Sequence, residues 1–425
     1  MIDKMHAIEL ARQLDQKDSL AEFRQQFLIP KNAEGEDCIY LCGNSLGLQS
    51  KGIRTIIEQE LSDWEKFGVH GHHDAQRPWF KYHEFLTEPM AELLGAKPIE
   101  TVIMNTLTVN VHLMLVSFYR PKPTKFKILI EYSSFPSDRY AVESQIRFHG
   151  YDPKDALIIL EPEPGKDYVG RQQMEAVFAR EGDQIALALI GSVNYYTGQA
   201  YPISFLTQLA HAHDCKIGFD LAHGAGNLLL NLHDDGPDFA VWCGYKYLNG
   251  GPGTLAGCFV HERHSMAPEL ARFAGWWGHD KSRRFKMEPQ FECMPGAEGW
   301  QLSNPPILPM ACLLASLQIF QKAGMKAIRE KNLAMGNLVI QWIKELNHPN
   351  IEILTPDQPD ERGAQLSIRL KDANKNIFQK ISKAGVIADW REPDVIRIAP
   401  VALYNSFTDI ATFIEIFKNA VYEKG

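Results

Sequence analysis

Short apolar segments alternate with longer polar stretches through the middle of the chain, and this alternation restricts the possible folds more than any other feature. The segments have the length of strands, and the stretches between them are long enough for helices. They are KFKILIEY (125–132), ALIIL (156–160), IALALIG (185–191), KIGFD (216–220), FAVWC (239–243) and GCFVHE (257–262). Apolar strands joined by helical crossovers form a mostly parallel sheet with both faces covered, so we predict an α/β fold.

Two of these segments end beside residues of opposite charge. KIGFD ends in Asp220, with His223 soon after it, and FAVWC is followed by Gly244, Tyr245 and Lys246. Side chains just past the carboxyl ends of parallel strands project into the ligand crevice of an open sheet. A lysine there can hold pyridoxal phosphate as a Schiff base, while a carboxylate keeps the pyridine nitrogen protonated and a histidine stacks on the ring. The structural alternative is that Asp220 caps a helix and Lys246 is an exposed loop residue.

Composition and charge exclude several classes of function. The net charge of the 425 residues is −8 and no basic cluster stands out, which argues against a nucleic-acid or anionic-membrane surface. The amino terminus lacks the apolar core of a signal peptide, and no run reaches transmembrane length. The seven cysteines form no CxxC pair, which is typical of free thiols in a cytoplasmic protein. GAGNLL (224–229) lacks the third glycine of a dinucleotide-binding fingerprint, so a nicotinamide cofactor is not expected.

A histidine-rich segment, FGVHGHHDAQRPW (67–79), permits several interpretations. His70, His72, His73 and Asp74 lie within five positions, which raises the possibility of a metal site. Adjacent loop residues rarely converge on one ion, and no distant cysteine or histidine cluster complements them. We therefore expect no metal, and a substrate-facing polar loop or a solvated loop remains.

Two other positions suggest anion binding. Asn105, Thr106 and Thr108 precede an apolar helix, and the free N–H groups of a helix start suit a cofactor phosphate, although a plain N-cap has the same signature. Arg397 lies within an apolar strand, where an unpaired guanidinium is costly. Its partner is a substrate carboxylate or a carboxylate of the protein itself.

The pattern also predicts how the chain divides. We expect an N-terminal helical arm at 1–45, a large α/β domain at 46–310 and a small C-terminal α/β domain at 311–425. An apolar helix at about 308–325 joins the two domains.

Ten motifs in chain order resemble the kynureninase family over roughly residues 40 to 420. They are GNSLG (43–47), RPW (77–79), LTVN (107–110), FPSD (135–138), NYYTGQ (194–199), GFDLAH (218–223), YKYLNGGPG (245–253), GWWGH (275–279), SNPPI (303–307) and IRIAP (396–400). The resemblance implies the fold-type-I architecture of pyridoxal-phosphate-dependent transferases, with a large mostly parallel sheet domain and a smaller C-terminal domain. It also implies a homodimer with its active site at the interface. The implied reaction, part of tryptophan catabolism, is hydrolytic Cβ–Cγ cleavage of L-kynurenine or 3-hydroxy-L-kynurenine to anthranilate or 3-hydroxyanthranilate plus L-alanine.

The resemblance further implies roles for single residues. Lys246 corresponds to the Schiff-base lysine, Asp220 to the partner of the pyridine nitrogen, and Tyr245 to a residue of phosphate binding and proton transfer. Arg397 corresponds to the arginine that binds the substrate α-carboxylate. The remaining implied residues are Leu107, Thr108, Phe135, Ser137, Asp138, His223, Trp276 and Asn304 for the cofactor, and Ser45, His72 and Asn304 for the substrate.

Two rival functions and one question of specificity stay open. Cysteine desulfurases and selenocysteine lyases share the implied fold, but they usually carry a histidine where Tyr245 stands and a cysteine in a flexible loop. A non-catalytic cofactor-binding homologue does not require the complete set of catalytic residues. His72 with Ser303 and Asn304 resembles the combination found in relatives that prefer 3-hydroxykynurenine, but a purely structural role for His72 is equally open. A role for Ser192 in cofactor binding is undecided.

Overall fold

The computed structural model describes residues 4–422 except residues 266, 268 and 269. Within these residues the helices are α1 (Lys4–Gln16), α2 (Gly52–Phe67), α3 (Gly71–Asp74), α4 (Glu84–Leu94), α5 (Leu107–Phe118), α6 (Pro136–Phe148), α7 (Pro153–Ala156), α8 (Arg171–Glu181), α9 (Ile203–Ala212), α10 (Leu232–Asp235), α11 (Ile307–Ala323), α12 (Met325–Leu346), α13 (Lys375–Lys383) and α14 (Phe407–Tyr422). The strands are β1 (Ile39–Tyr40), β2 (Thr101–Ile103), β3 (Lys127–Glu131), β4 (Leu157–Leu160), β5 (Ile185–Gly191), β6 (Lys216–Asp220), β7 (Phe239–Cys243), β8 (Ala256–Val260), β9 (Ile351–Ile353), β10 (Leu366–Leu370), β11 (Val386–Ile387), β12 (Asp389–Arg391) and β13 (Val395–Ile398).

A seven-stranded sheet in the order β2-β8-β7-β6-β5-β3-β4 forms the centre of the large domain. Five adjacent strands of this sheet run parallel to one another: β7, β6, β5, β3 and β4. Strand β8 is antiparallel to both of its neighbours, β7 and β2. Each of the six apolar segments forms one of the strands β3 to β8, so the prediction of a mostly parallel sheet is confirmed. The apolar pattern did not reveal β2, because this strand has only three residues and the apolar helix α5 begins soon after it, at Leu107.

Alternate residues of each strand are buried on opposite faces of the sheet. Along β3, Ile128 and Ile130 belong to one apolar cluster, while Leu129 between them belongs to the other. Side chains of a strand alternate between faces, so a strand that is apolar at every position needs cover on both. The continuous apolar composition of the strands therefore follows from the helices that pack on each side.

The helix expected at about 308–325 is α11, and Gly324 separates it from α12. Among the described residues no single helix is long and apolar enough to cross a membrane. Helices α11 and α12 reach that length and composition only when they are taken together, and their axes meet at an angle of 82°.

The C-terminal domain contains a four-stranded antiparallel sheet in the order β12-β13-β10-β9. The N-terminal segment packs on this domain: α1 lies against α14, and β1 pairs in parallel with β11. Asp15 accepts hydrogen bonds from the Phe407 and Thr408 N–H groups at 2.7 and 3.0 Å, so it satisfies donors at the start of α14.

Candidate active site

A pocket of about 270 Å³ lies at the carboxyl ends of the parallel strands. Strands β3, β5, β6 and β7 all end at its wall, as the ligand crevice of an open α/β sheet requires. It is lined by Thr106, Leu107, Thr108, Glu131, Phe135, Ser137, Asp138, Gly191, Val193, Tyr195, Asp220, Ala222, His223, Tyr245 and Lys246. Nine of the residues expected at a cofactor site therefore face one cavity: Leu107, Thr108, Phe135, Ser137, Asp138, Asp220, His223, Tyr245 and Lys246.

Lys246 is held in the loop after β7. Its side chain is buried, and Nζ lies 5.6 Å from the centre of the Phe135 ring and 5.9 Å from that of Tyr245. The Gly47 N–H donates to the Tyr245 carbonyl at 2.8 Å. A Cβ at Gly47 would lie 2.3 Å from the Lys246 carbonyl oxygen, so only glycine allows this turn to press against the lysine loop.

Two buried carboxyl groups, Asp138 and Asp220, line the same pocket as this lysine. They are hydrogen-bonded to each other. Burial, with the charge of Asp220, raises the pKa of Asp138 well above its usual range. Burial also raises the pKa of Asp220, although the Asp138 hydrogen bond and the charge of Lys246 oppose this rise. The hydrogen bond therefore favours the proton on Asp138 and the negative charge on Asp220.

The opposite end of the pocket is built to hold an anion. Helices α5 and α6 both begin there, at Leu107 and Pro136, and no side chain caps either helix. The hydroxyl groups of Thr108 and Ser137 lie 2.8 Å apart between the two helix starts. Free N–H groups, hydroxyl groups and the positive ends of two helix dipoles together favour a phosphate.

His223 forms a neutral wall of the pocket. The ring is buried and its Nδ1 atom has no hydrogen-bond partner. Burial first, and then the charges of Lys246 and Arg397, lower the pKa of His223 well below its usual value. A neutral, flat ring is suited to stacking on a cofactor ring.

The phenol group of Tyr245 is protonated. Burial raises its pKa above the usual value, and its side chain is hydrogen-bonded to Cys243. The phenol therefore keeps its proton across the physiological pH range.

Arg397 does not line the pocket but lies behind Tyr195. Its Nη1 donates to the Tyr195 carbonyl at 2.7 Å, and its Nη2 donates to Asp389. A protein carboxylate therefore does pair with Arg397, as the alternative interpretation stated. The buried Nε atom has no partner, so one donor of the guanidinium stays available.

Four other expected residues lie outside the pocket lining. Ser45 is half-buried in the turn that presses on the lysine loop, and Asn304 is exposed. His72 and Trp276 belong to what we call the aromatic cluster, namely His72, Phe80, Trp276 and Phe285. Ring centres in it are 4.6 Å apart for His72 and Phe80, 5.1 Å for Phe80 and Phe285, and 5.4 Å for Trp276 and Phe285.

The side chains of His72 and His73 in the histidine-rich segment make separate contacts. The Nδ1 atom of His72 is 2.8 Å from the Val69 carbonyl, and His73 packs its ring on Phe80. Among the described residues, the groups of three side chains whose ligand atoms approach within 4.8 Å lie elsewhere, at Glu100, His233 and His261 and at His83, Glu84 and Glu298.

Some pocket residues were not identified from the sequence. Glu131 is the clearest case, because it ends an apolar strand just as Asp220 does and the same rule would have found it. Four other residues line the pocket only because of their position in the fold, and their sequence context does not indicate a functional site. They are Gly191, Val193, Tyr195 and Ala222.

Comparison with known proteins identifies the family. A family profile described as the kynureninase C-terminal domain matches residues 328–417. A kynureninase of Myxococcus xanthus is 51% identical over 413 residues, which are 97% of this chain and 97% of that protein. The kynureninase of Koribacter versatilis is 50% identical over 407 residues, or 96% of each chain. The chain belongs to the kynureninase family.

Solved structures with much lower identity share the fold of this kynureninase-family chain. A cystine C–S lyase variant with glycine covalently linked to its pyridoxal-phosphate cofactor matches with a TM-score of 0.77 at 17% identity, covering 93% of this chain and 98% of that one. A cysteine desulfurase of Escherichia coli matches with a TM-score of 0.76 at 14% identity, covering 95% and 98%. The predicted fold-type-I architecture, enzyme class and cofactor are confirmed, and the roles of single residues stay predictions.

The pocket residues fit pyridoxal phosphate. The helix starts suit its phosphate, and the ring of His223, whose Nδ1 atom has no partner, suits its face. Asp220 suits its pyridine nitrogen and Lys246 suits its aldehyde.

Proposed function

We propose that the protein hydrolyses the Cβ–Cγ bond of an L-kynurenine, releasing an anthranilate and L-alanine. The observation that carries the proposal is that buried Lys246 lies in one pocket with buried Asp138 and Asp220. Family membership of the whole chain gives this pocket its reaction.

When bound, pyridoxal phosphate supplies an electron sink for the carbanions that this cleavage generates. We propose that Asp220 holds the pyridine nitrogen in its protonated form, with Asp138 keeping Asp220 in place. His223 and Phe135 cover the ring. Thr108, Ser137 and the start of α5 bind the phosphate, with Leu107 at the same helix start.

Lys246 and Tyr245 are proposed to move the protons. The amine of Lys246 accepts the proton from the substrate Cα atom. Tyr245 keeps its hydroxyl proton at neutral pH, and burial raises its pKa further, so the proton is present for transfer to a strongly basic carbanion. Water adds its hydroxyl group to Cγ, which becomes the carboxyl carbon of the anthranilate, and Tyr245 donates the proton that Cβ of the alanine product requires after the bond to Cγ breaks.

Arg397 is proposed to bind the substrate α-carboxylate through its unpartnered Nε. Asp389 and the Tyr195 carbonyl hold the other two nitrogen atoms, so the guanidinium is already oriented. A buried donor without a partner is costly, and a carboxylate oxygen at that position relieves the cost.

We further infer that the protein is a homodimer with active sites at the interface. The aromatic cluster stands on the surface: Trp276 is 41% exposed and Phe285 is 55% exposed. Exposed apolar groups of this size favour contact with another protein surface. Trp276, His72 and Asn304 are thus proposed to complete the pocket of the partner protomer, with Ser45 near the substrate in its own protomer.

A cytoplasmic location is also proposed. The seven cysteines are free thiols, four of them buried and three half-buried, which supports a reducing compartment.

The test is turnover of L-kynurenine and 3-hydroxy-L-kynurenine, measured side by side with added pyridoxal phosphate. The fluorescence of the anthranilate product reports the rate. We expect turnover of at least one substrate, and the proposal is wrong if the protein binds the cofactor but cleaves neither.

The ratio of the two kcat/KM values decides the role of His72. A histidine and an amide that pair with the ring hydroxyl can favour the hydroxylated substrate by up to about 10⁴-fold. We propose that His72 and Asn304 have this role, which predicts a preference for 3-hydroxy-L-kynurenine that His72→Ala removes. A preference for L-kynurenine would indicate that His72 has only a structural role.

A further inference from the structure

Glu131 is a third carboxyl group in the pocket. It is the last residue of β3, which lies between β4 and β5 in the sheet, and it is 4% exposed. Oε2 accepts a hydrogen bond from the Gly191 N–H at 3.0 Å. A Cβ at Gly191 would lie 2.8 Å from Oε1, so the carboxyl group fills the space beside the backbone of β5.

Gly191 connects this carboxyl group to Asp220. The two residues are direct partners in the parallel pairing of β5 with β6. The next residue, Ser192, donates its N–H to the Asp220 carbonyl at 2.7 Å. The backbone that Glu131 holds is therefore the backbone that fixes the position of Asp220.

The charges in the pocket are also unbalanced without a ligand. Glu131, Asp138 and Asp220 are buried together, and Lys246 is the one cationic side chain among the residues that line the described pocket. Like charges in one buried site cannot all ionise. A cationic ring nitrogen beside Asp220 would restore the balance and favour ionised Glu131.

We propose that Glu131 is a positioning residue of the pyridine-nitrogen site, which holds the Gly191 backbone against Asp220 and places a second negative charge behind it. This rests on the proposed function, because it assigns the ring nitrogen to Asp220.

Several groups from the surrounding elements face Glu131. They are the Gly191 N–H from β5, Asp220 from β6, Asp138 from α6 and Tyr201, whose pKa Glu131 helps to raise. Burial raises the pKa of Glu131 to about 7. Its charge thus responds to the cofactor within the working pH range.

The test is a pH titration of the absorption band of the lysine-bound cofactor in the holoprotein, together with the cofactor Kd. Glu131→Gln keeps the volume and an acceptor for the Gly191 N–H but removes the charge. We expect the titration midpoint to fall by about half a pH unit or more, since a lost anion disfavours the protonated cofactor. We also expect kcat to fall about tenfold, with KM changed much less.

Two further variants separate charge from geometry. Glu131→Asp keeps the charge but shortens the reach to Gly191, so it should keep the midpoint and weaken cofactor binding severalfold. Glu175→Gln makes the same chemical change on the exposed face of α8 and should alter neither value.

An unchanged midpoint in Glu131→Gln overturns the electrostatic role. Unchanged cofactor binding in Glu131→Asp overturns the positioning role, and it does so even where Glu131→Gln does not fold. Both readouts follow bound cofactor without turnover, so they remain decisive if the unaltered protein cleaves no kynurenine and the proposed function alone is wrong.

Discussion

Asp220 is the residue whose charge matters most in this account. The chemistry requires an anion at the pyridine nitrogen, and the hydrogen bond from Asp138 and the charge of Lys246 both lower the pKa of Asp220 against the effect of burial. Asp220→Ala should weaken cofactor binding and lower kcat by about 100-fold or more. Steady-state kinetics at saturating pyridoxal phosphate measures this, and a kcat near the original value would assign the ring nitrogen to another group.

Asp389 is expected to act through Arg397. Asp389→Asn keeps the shape of the side chain but removes the charge that orients the guanidinium. We expect KM for the kynurenine substrate to rise about tenfold with a smaller change in kcat, because carboxylate binding is affected more than the chemistry.

The matched control for this variant is Asp357→Asn, which changes an exposed ion pair of the same domain and should leave KM unaltered. A fall in kcat without a rise in KM would place Asp389 in the chemical step instead.

At the residue scale, the functional side chains that follow the ends of strands could be predicted from the sequence. Asp220 and Lys246 follow apolar strands, and the fold brings them to one pocket. Glu131 obeys the same rule and was missed. The partner of Arg397 could not be chosen in advance, because Asp389 comes close only through the pairing of β12 with β13.

At the scale of elements, α2 anchors the segment that carries His72. Buried Glu60 accepts hydrogen bonds from Arg77 at 2.7 Å, Trp79 at 3.1 Å and Tyr82 at 2.9 Å. Its carboxylate thus joins the helix to the end of the histidine-rich segment and to Tyr82 just after it.

Glu60→Ala should destabilise the protein by about 3 kcal/mol, because it leaves Arg77 and two other donors without their acceptor. Thermal unfolding of the protein without cofactor, followed by circular dichroism, measures the loss. Glu58→Ala, on the exposed face of the same helix, is the control and should have little effect. Equal Tm values for the two variants would show that the segment is held by other contacts.

Strands with apolar residues at every position were easy to predict at this scale, whereas pairings between distant segments were not. β1 and β11 join residues 39–40 to residues 386–387, and no local pattern signals such a pair. The edge strand β2 was missed because three residues next to an apolar helix show no pattern of their own.

At the scale of the whole molecule, the N-terminal arm packs on the C-terminal domain through α1 and β1. The boundaries at residues 45 and 310 remain predictions.

The proposed dimer has a direct consequence for mixed protomers. If Lys246 and Trp276 of one active site come from different protomers, a dimer of one Lys246→Ala chain and one Trp276→Ala chain contains one intact site. Co-expressed chains should then recover about a quarter of the original activity, although each variant alone is impaired. No recovery in isolated mixed dimers would mean that each protomer supplies its whole site.

The central claim is that Lys246 holds the cofactor opposite Asp220, and the site of attachment tests it most directly. Borohydride reduction makes the bond between pyridoxal phosphate and its lysine permanent, and mass spectrometry of the digested protein then locates the modified residue. We predict stoichiometric modification of Lys246 and none in Lys246→Ala. Modification of a different lysine, or an unmodified Lys246 in active protein, would contradict it.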